Sequence, residues 1–273
     1  MNAETGRADL HIHTLASDGI STGEEVLERA MARGLSVVAI TDHERIDGAV
    51  AAQHIALRRG LSVQVIVGEE ITTRNGHLVG LFLRERIRPW RSMKESIARV
   101  HDQGGIAIVA HPLLPYPLCA SARTIHRLLD ESDAVFHPDA IEAFNPTTAG
   151  MRWTRRVPAF VAESGVAAVA GSDAHRASSV GQAVTVFPGT TPDELRAAIL
   201  ERTTSWEGDF YPWREQLGTF RLQLGKNARA VRDEVRGKLL RSGTGRDLGY
   251  PGGRRRPAAF DPDAAGPHEG EGS

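Results

Sequence analysis

Short apolar runs alternate with amphipathic stretches along the first 200 residues of the chain. The run LSVVAIT at 35–41 is β-branched and continuous, which is typical of a strand buried on both faces. The amphipathic stretches around it have helical spacing and end at glycines, Gly34 and Gly60, that favour a helix C-terminus. Strands that alternate with helices predict a parallel α/β sheet or an α/β barrel.

The same pattern gives the predicted elements in order. Strands are predicted at 10–13, 35–41, 61–71, 76–83, 106–110, 140–144, 166–170 and 183–187. Helices are predicted at 23–34, 47–60, 92–104, 122–132 and 157–165, with another beginning near Thr191. The last of these has the S/T-x-x-E spacing of a capping box in TPDELRAAILE. The polar TTRNG segment between the third and fourth strands predicts a hairpin turn.

Beyond Trp206 the pattern changes. Apolar residues recur at steps of three, four or seven, which predicts a long amphipathic helix: Leu217, Phe220, Leu224, Val231, Val235 and Leu239. Residues 242–273 contain 12 Gly and Pro in 32 positions and no apolar periodicity, so a disordered tail is expected. The predicted domains are therefore a barrel at 1–205, a basic helical extension at 206–241 and a tail at 242–273.

Composition narrows the class of protein. A single cysteine, Cys119, excludes a disulfide framework and a four-cysteine zinc site. No apolar run approaches the roughly 18 residues of a membrane span, and the N-terminus lacks an apolar signal-peptide core. A soluble protein of the reducing cytoplasm with no membrane partner is the expectation.

The net charge of -1 combines unlike parts of the chain. Residues 212–256 hold 12 Lys and Arg against 4 Asp and Glu, a local charge of +8. This segment, which ends in Arg254, Arg255 and Arg256, predicts a possible contact with a nucleic-acid backbone. A solvated basic face is the alternative.

Histidine is the unusual residue, with 11 in the chain against 3 tyrosines. His11 and His13 are two residues apart on a predicted strand, so their side chains are expected on one side, together with Asp9. The remaining candidate groups follow or open other predicted strands: Asp18, Asp42, His43, Glu69, Glu70, His77, His111, Asp173 and His175.

In α/β barrels the carboxyl ends of the strands form one face, which would collect these groups. They exceed the three protein ligands of one catalytic zinc. A cluster of two or three divalent ions, suited to phosphoester hydrolysis, is the simpler interpretation. The other five histidines receive no chemical role: His54, His101, His126, His137 and His268.

Seven motifs occur in a fixed order: D-L-H-I-H-T, S-D-G, A-I-T-D-H, G-E-E-I, H-L-V-G-L, A-H-P and G-S-D-A-H. Together they resemble the PHP (polymerase and histidinol phosphatase) superfamily of metal-dependent phosphoesterases over roughly residues 8–190. The resemblance implies a distorted (β/α)7 barrel with metal ions, typically Zn, Mn or Fe, at the strand ends.

The resemblance also implies a role for each matching residue. His11, His13, Glu70 and Asp173 would hold a first ion. Glu70 would bridge to a second ion, held by His77 and His111. A third would be held by Asp18, His43 and His175, although some members have His at the position of Asp18. Asp173, His175 and Glu70 are the expected catalytic residues.

Several assignments depend on more than the motifs. Glu69 competes with Glu70 as the bridging residue, because strand periodicity does not choose between them, although the family pattern favours Glu70. Asp9 and Asp42 are expected to orient ligating imidazoles, with turn capping as the alternative. Arg176 is a candidate phosphate contact or a plain surface residue, and Glu142 is a weaker cleft candidate.

The motif spacing most resembles the branch of the family that acts on nucleoside bisphosphates and on 5′ ends of RNA. That branch carries an insertion which is absent here, because only 33 residues separate His77 from His111. The expected substrate is therefore a phosphorylated small molecule or a nucleic-acid end. A histidinol-phosphate phosphatase is the main enzymatic alternative.

Two further alternatives come from other classes of protein. An amidohydrolase would be expected to carry a bridging carboxylated lysine, but no lysine lies between Met1 and Met93. The other alternative is a non-catalytic, metal-stabilised binding module, which loss of ligand residues would indicate. Here every expected position except the variable Asp18 bears a good ligand.

Overall fold

The computed structural model describes residues 4–147 and 151–212. The chain divides into two compact units, Met1–Ala230 and Val231–Ser273. Four parts of the chain lie outside the described residues: the second unit, the predicted disordered tail, the basic segment that follows Pro212, and the residue His268.

The described residues form nine strands and seven α-helices. The strands are β1 (Thr5–Asp9), β2 (Val37–Ile40), β3 (Gln64–Thr73), β4 (Gly76–Leu81), β5 (Ile106–Val109), β6 (Ala140–Phe144), β7 (Ala167–Ala170), β8 (Ala183–Pro188) and β9 (Ser205–Gly208). The helices are α1 (Gly23–Ala32), α2 (Asp47–Arg59), α3 (Met93–Asp102), α4 (Ala122–Leu129), α5 (Met151–Thr154), α6 (Val157–Ser164) and α7 (Pro192–Leu200).

One sheet contains all nine strands, in the order β7-β6-β5-β4-β3-β2-β1-β8-β9. β1, β2 and β3 are parallel, as are β5, β6 and β7. β4 is antiparallel to both of its neighbours, because it forms the predicted hairpin with β3. β8 and β9 are also antiparallel to the strands that they pair with.

The sheet curls into a nearly closed barrel. Residues beyond the ends of β1 and β7 meet in a parallel bridge between Ile12 and Ala174, with the His13 N–H donating to the Ala174 carbonyl at 2.9 Å. Lower down, the Thr185 hydroxyl of β8 bonds the backbone of Ala170 at 2.9 Å. The predicted distorted α/β barrel is confirmed.

Alternating residues along β2 explain its unbroken apolar run. Val37 and Ala39 face the barrel interior, where α7 also packs, whereas Val38 and Ile40 pack against α1 and α2. A strand covered on both faces needs apolar side chains at every position.

Helix boundaries follow the capping chemistry. α1, α3 and α7 each begin with a complete capping box, including the predicted Thr191–Glu194 pair. α2 ends at Gly60 in the left-handed conformation, as its position at the end of the helical pattern predicts.

Two strands differ from the predictions, and the short helix α5 was not predicted. The first strand is Thr5–Asp9 rather than 10–13, because the polar segment TGRAD pairs with β8, so His11 and His13 follow the strand. β9 continues the sheet beyond residue 205, the predicted end of the barrel, and had no apolar pattern to reveal it. No helix among the described residues is both long and apolar enough to cross a bilayer.

Candidate metal centre

The carboxyl ends of the parallel strands place the candidate ligands in one cluster. β3 carries Glu70 beyond the last residue of β2, where an isolated bridge joins Glu70 to His43. We call the following residues the Glu70 cluster: His11, His13, Asp18, His43, Glu70, His77, His111, Asp173 and His175.

Glu70 lies at the middle of the cluster, and its side chain is 2% exposed. Its carboxylate lies within 3.4 Å of nitrogens from five imidazoles: His77 at 2.6 Å, His111 at 3.0 Å, His11 and His13 at 3.2 Å, and His43 at 3.4 Å. No single carboxylate can satisfy five imidazoles by hydrogen bonding alone, since it offers about four lone-pair positions.

Asp173 completes the first predicted ligand set. Its Oδ1 lies 3.3 Å from Nε2 of His13 and 3.7 Å from Nε2 of His11. Asp173 has φ 51° and His111 has φ 28°, values that non-glycine residues seldom adopt. Such backbone strain is concentrated at functional sites, where it re-aims side chains.

Asp18 marks the outer side of the cluster. Its carboxylate lies 3.0 Å from Nε2 of His175, 3.5 Å from Nδ1 of His13 and 4.0 Å from Nε2 of His43. At 31% exposure the Asp18 side chain is the most accessible carboxylate of the cluster. His13 therefore stands between this outer set and the inner set around Glu70.

The donor atoms fit metal ions. Nε2 of His11 and both ring nitrogens of His13 are buried and make no hydrogen bond, although carboxylate oxygens are close by. Four ligands at about 2.0–2.1 Å around a tetrahedral ion stand about 3.3 Å apart. The separations of 3.2 and 3.3 Å from His13 Nε2 to Glu70 and Asp173 match that spacing.

The electrostatics of the cluster also favour cations. Burial opposes a charge on His13, but Asp173 and Glu70 outweigh it and raise the pKa of His13 to about 10. Burial likewise opposes ionisation of Glu70, yet His43, His11 and His77 hold its pKa well below the usual range. A field that retains protons so strongly would also attract a divalent ion in their place.

Glu142 on β6 contacts two of the histidines, one through its ring and one through its backbone. Its Oε1 lies 3.1 Å from Nδ1 of His11, and its Oε2 accepts a bond from the backbone N–H of His111 at 2.7 Å. Asn145 donates to both Glu142 and Asp173, at 3.2 and 3.3 Å. Carboxylates that hold the second nitrogen of a ligating histidine fix its ring orientation, so the weak cleft candidate has a specific structural place.

Cys119 also contacts the cluster. Its Sγ lies 3.4 Å from Nδ1 of His111, on the side of the ring opposite the contact between Nε2 and Glu70. The sequence around Cys119 carried no motif, so this contact was missed.

Asp9 and Asp42 stand differently from the prediction. Asp9 accepts bonds from the Ser172 hydroxyl and N–H and from the Gly181 N–H, and burial raises its pKa to about 6. Asp42 accepts from the backbone and hydroxyl groups of Thr14 and Ser17. Within the described residues both carboxylates therefore fix backbone segments rather than imidazoles, which is the turn-capping alternative.

Glu69 points away from Glu70. Its Oε2 accepts the Ile87 N–H at 2.7 Å, and burial raises its pKa to about 7. Thus Glu69 lies under the 84–91 loop, whereas Glu70 lies in the cluster. Arg176 directly follows His175 with a half-buried side chain.

The histidines without an assigned role lie elsewhere in the described structure. His101 bonds the Val135 carbonyl and Asp139, and His137 bonds the Glu131 carbonyl. His126 packs edge-on against Phe160, and His54 is exposed on α2.

Two models of protein families match this chain. The PHP domain model matches residues 9–126, and the model of a PHP-associated region matches residues 152–204. The two matches include every residue of the Glu70 cluster. A protein of Methanocaldococcus jannaschii is 36% identical over 148 residues, which are 50% of this chain and 85% of that protein. The chain belongs to the PHP family.

Two further relatives of this PHP protein match shorter stretches. A phosphoribosyl 1,2-cyclic phosphate 1,2-diphosphodiesterase of Eggerthella lenta is 40% identical over 83 residues, 28% of this chain and 31% of the relative. A 5′-3′ exoribonuclease of Haemophilus influenzae is 41% identical over 81 residues, 28% of this chain and 29% of the relative.

A solved structure shows the same fold. A two-domain protein from Bacteroides vulgatus, described as containing a predicted PHP-like metal-dependent phosphoesterase, superposes with a TM-score of 0.62 at 18% identity. The superposition covers 76% of this chain and 66% of that protein.

Proposed function

We propose that this PHP-family phosphoesterase hydrolyses a phosphate ester of a nucleotide or of a nucleic-acid end, using two or three divalent ions held by the Glu70 cluster. The observation that carries the proposal is the buried Glu70 carboxylate, which lies within 3.4 Å of five imidazoles. A site of this kind concentrates positive charge where a phosphoryl group would bind.

Three ligand sets would share the cluster. His11, His13 and Asp173 would hold one ion with Glu70, which would also serve a second ion with His77 and His111. The outer set for a third ion would be Asp18, His43 and His175. Zn, Mn or Fe suit this mixture of imidazole and carboxylate donors.

The chemistry that bound divalent ions supply is activation of water, whose pKa falls from 15.7 to about 7, and neutralisation of phosphoryl charge. The chain would keep the site in register. Glu142 would hold the His11 ring through Nδ1, and Asn145 would tie Glu142 to Asp173. Asp9 would fix the segment that carries Asp173 by bonding Ser172.

A cation beside the ligands would assist substrate binding. Arg176 follows His175 directly and would contact a phosphoryl oxygen as that substrate enters. No serine or cysteine nucleophile is needed, and Cys119 would act only on the orientation of His111 through its contact with Nδ1. The expected catalytic residues stay Asp173, His175 and Glu70.

Support for a nucleotide or nucleic-acid substrate comes from the relatives. Among them an exoribonuclease and a phosphodiesterase of a phosphoribosyl cyclic phosphate share substrates in which phosphate is esterified to ribose. A lysine-bridged amidohydrolase site is disfavoured, since the only lysine of the described residues, Lys94, pairs with Glu131 at 2.8 Å on the surface.

The proposal is tested by metal analysis of the purified protein together with a phosphate-release panel. The panel contains a nucleoside 3′,5′-bisphosphate, a short 5′-phosphorylated RNA and its DNA equivalent, a phosphoribosyl cyclic phosphate and histidinol phosphate. We expect bound divalent metal and turnover of one of the ribose phosphates. His11→Ala should abolish it while the circular dichroism spectrum stays unchanged.

Two results would contradict the proposal. Release from histidinol phosphate alone would assign the enzyme to the alternative phosphatase class. Metal binding without release from any substrate would favour a non-catalytic module.

A further inference from the structure

A strongly basic loop joins β4 to α3. Residues 84–91 read RERIRPWR, with four arginines and one glutamate, so their net charge is +3 in a chain of net charge -1. We call residues 84–91 the arginine loop. The proposed hydrolysis assigns it no role.

The backbone of the arginine loop is held against β3. The Ile87 N–H donates to Glu69 at 2.7 Å, and the Trp90 N–H donates to the Thr72 carbonyl at 2.8 Å. Arg74 Nε donates to the Trp90 carbonyl at 2.9 Å. These bonds leave a fixed backbone from which the arginine side chains project.

Three guanidinium groups of the loop form no ion pair with the carboxylates that the structure describes, although the charge of Arg86 acts on Glu69 at longer range. Arg84, Arg86 and Arg88 are exposed, and among the residues that the structure describes none has a carboxylate oxygen within the 4.0 Å of an ion pair. By contrast, the surface residues Arg45 and Arg59 are paired with Asp47 and Glu24. The unpaired charges of the loop are therefore available to an outside anion.

Trp90 is the second unusual feature of the loop. Its side chain is 61% exposed, and its backbone has φ 63°, in the left-handed region. A large aromatic residue rarely adopts this conformation. The two backbone bonds of Trp90 hold it there, and they present the indole to solvent instead of to the core.

Concave surfaces connect the arginine loop to the Glu70 cluster. A hollow of about 720 Å³ is lined by His43, Arg45 and residues 84–86, with Glu44, Asp47 and Glu85 as its acidic groups. A second hollow of about 430 Å³ shares residues 84–86 and extends to Arg88, Arg91 and Arg99, with Glu85 and Asp102 as its acidic groups. A third, of about 360 Å³, shares Arg88 and Arg91 and is lined by Trp90 and Arg74, with Glu95 as its acidic group.

We propose that the arginine loop binds single-stranded nucleic acid beyond the nucleotide that reacts, with Arg84, Arg86 and Arg88 on successive phosphates and a base stacked on Trp90. The proposal rests on the proposed function, because the strand would enter from the metal centre past His43. Guanidinium groups in a groove with an exposed aromatic ring are the features that bind single strands without sequence preference.

An acidic protein segment is the other polyanion that could bind here. Its carboxylates would pair with the arginines, but its binding would not depend on stacking against an exposed indole. Trp90 therefore favours the nucleic acid, and the two cases differ in a measurable way.

The test is equilibrium binding of a labelled, hydrolysis-resistant single-stranded RNA of about 12 nucleotides to the 273-residue protein as purified, with its metal. The triple variant Arg84→Gln, Arg86→Gln, Arg88→Gln should weaken binding at least about 10-fold. It should also lower the slope of log Kd against log salt by about 2, since each phosphate contact contributes about 0.7 on a single strand. The control is Arg58→Gln, Arg127→Gln, Arg202→Gln, an equal charge change at three exposed positions, two in the last turns of α2 and α4 and one in the turn after α7.

Trp90→Ala separates the ligand classes. It should weaken RNA binding about 5-fold or more, because a stacked base is lost, and Trp90→Phe should restore part of the affinity. Binding of inorganic polyphosphate, which has no bases, should respond to the arginine variant and not to Trp90→Ala. Equal loss in the control triple variant, or a poly-glutamate peptide that competes as well as RNA, would overturn the proposal.

An activity ratio keeps this inference separate from the proposed function. The ratio of kcat/KM for the RNA to kcat/KM for a nucleoside bisphosphate should fall at least about 10-fold in the arginine variant. If the wild-type protein hydrolyses no phosphoester, the proposed function fails whatever the binding result. If it hydrolyses both substrates and the ratio is unchanged, the arginine-loop proposal alone fails.

Discussion

Histidines at two places in this protein, the Glu70 cluster and His101, contact carboxylates in opposite ways. In the Glu70 cluster the ring nitrogens of His13 make no hydrogen bond, although two carboxylates lie within 3.3 Å of Nε2. On the side of the barrel, His101 bonds the Val135 carbonyl through Nδ1 at 2.8 Å and Asp139 through Nε2 at 2.9 Å. We call His101 and Asp139 the His101 pair.

The His101 pair is complete without any other atom. Both partners of the imidazole are oxygens that accept hydrogen bonds, so the pair favours the protonated ring, in which both nitrogens donate. Asp139 raises the pKa of His101, against the opposing effect of burial. Proximity of a histidine to a carboxylate is therefore not enough to indicate a candidate metal site. Buried ring nitrogens that lie among shared carboxylates and make no hydrogen bond distinguish the Glu70 cluster from the His101 pair.

The largest expected effect comes from a matched pair of neighbouring substitutions. Glu70→Gln should remove most bound metal and lower kcat/KM for a mononucleotide by about 10³-fold or more, because five imidazoles lose their shared carboxylate. Glu69→Gln should keep both near wild type, since Glu69 contacts the Ile87 backbone. Elemental analysis measures the metal content of each variant, and phosphate release measures its kcat/KM. Equal losses in the two variants would refute the assignment of Glu70.

A smaller effect is expected one contact further out. Glu142→Gln should weaken metal affinity by about 10- to 100-fold, because the negative partner of His11 Nδ1 is neutralised while its shape is kept. Competition with a chelator measures this change. Glu163→Gln makes the same chemical change at an exposed position on α6 and should leave the affinity unaltered. No loss in Glu142→Gln would place Glu142 outside the metal centre.

The His101 pair should behave in the reverse manner. His101→Ala should lower the free energy of unfolding by about 1.5–3 kcal/mol, the contribution of a hydrogen bond to a charged group. Metal content and turnover should stay at the wild-type level. Denaturant unfolding measures the first, and elemental analysis with phosphate release measures the others. A loss of metal in this variant would remove the distinction between the two groups.

The smallest expected effect is on the pH dependence of stability. The pKa of His101 is raised in the folded protein by Asp139, with further help from the Val135 carbonyl and Asp102. Its stabilisation is therefore fully present below the unfolded pKa of about 6.5 and is lost as pH rises through the folded value. The stability difference between wild type and His101→Ala should accordingly be larger near pH 6 than near pH 9. A difference that grows with pH would contradict the cationic state.

Much of the candidate centre could be predicted because its candidate ligands lie beside local signals. His11 and His13 are two residues apart, and His43, His111 and Asp173 follow apolar runs that had to be strands. Strand ends of a parallel sheet meet at one edge, so nearness in space followed from the pattern. The fold class was predictable for the same reason.

The remaining features depend on contacts between distant parts of the chain. Glu142 and His11 are 131 residues apart, and nothing in the sequence near either residue indicates their bond. Polar β1 becomes a strand through pairing with β2 and β8, and exposed β9 becomes one through pairing with β8. The left-handed conformations of His111 and Asp173 were hidden too, because most His and Asp residues do not adopt them, although both types are enriched there among non-glycine residues.

The bridge between Ile12 and Ala174 would link the amount of folded protein to the supply of metal. It joins segments 162 residues apart, and ligands of the Glu70 cluster flank it on both segments. An ion held across this junction would bind only chains in which these two segments have already come together. Its binding energy would then add to that of folding, by an amount set by the free ion concentration. The supply of metal would thus govern how much intact protein persists, as well as how fast it works.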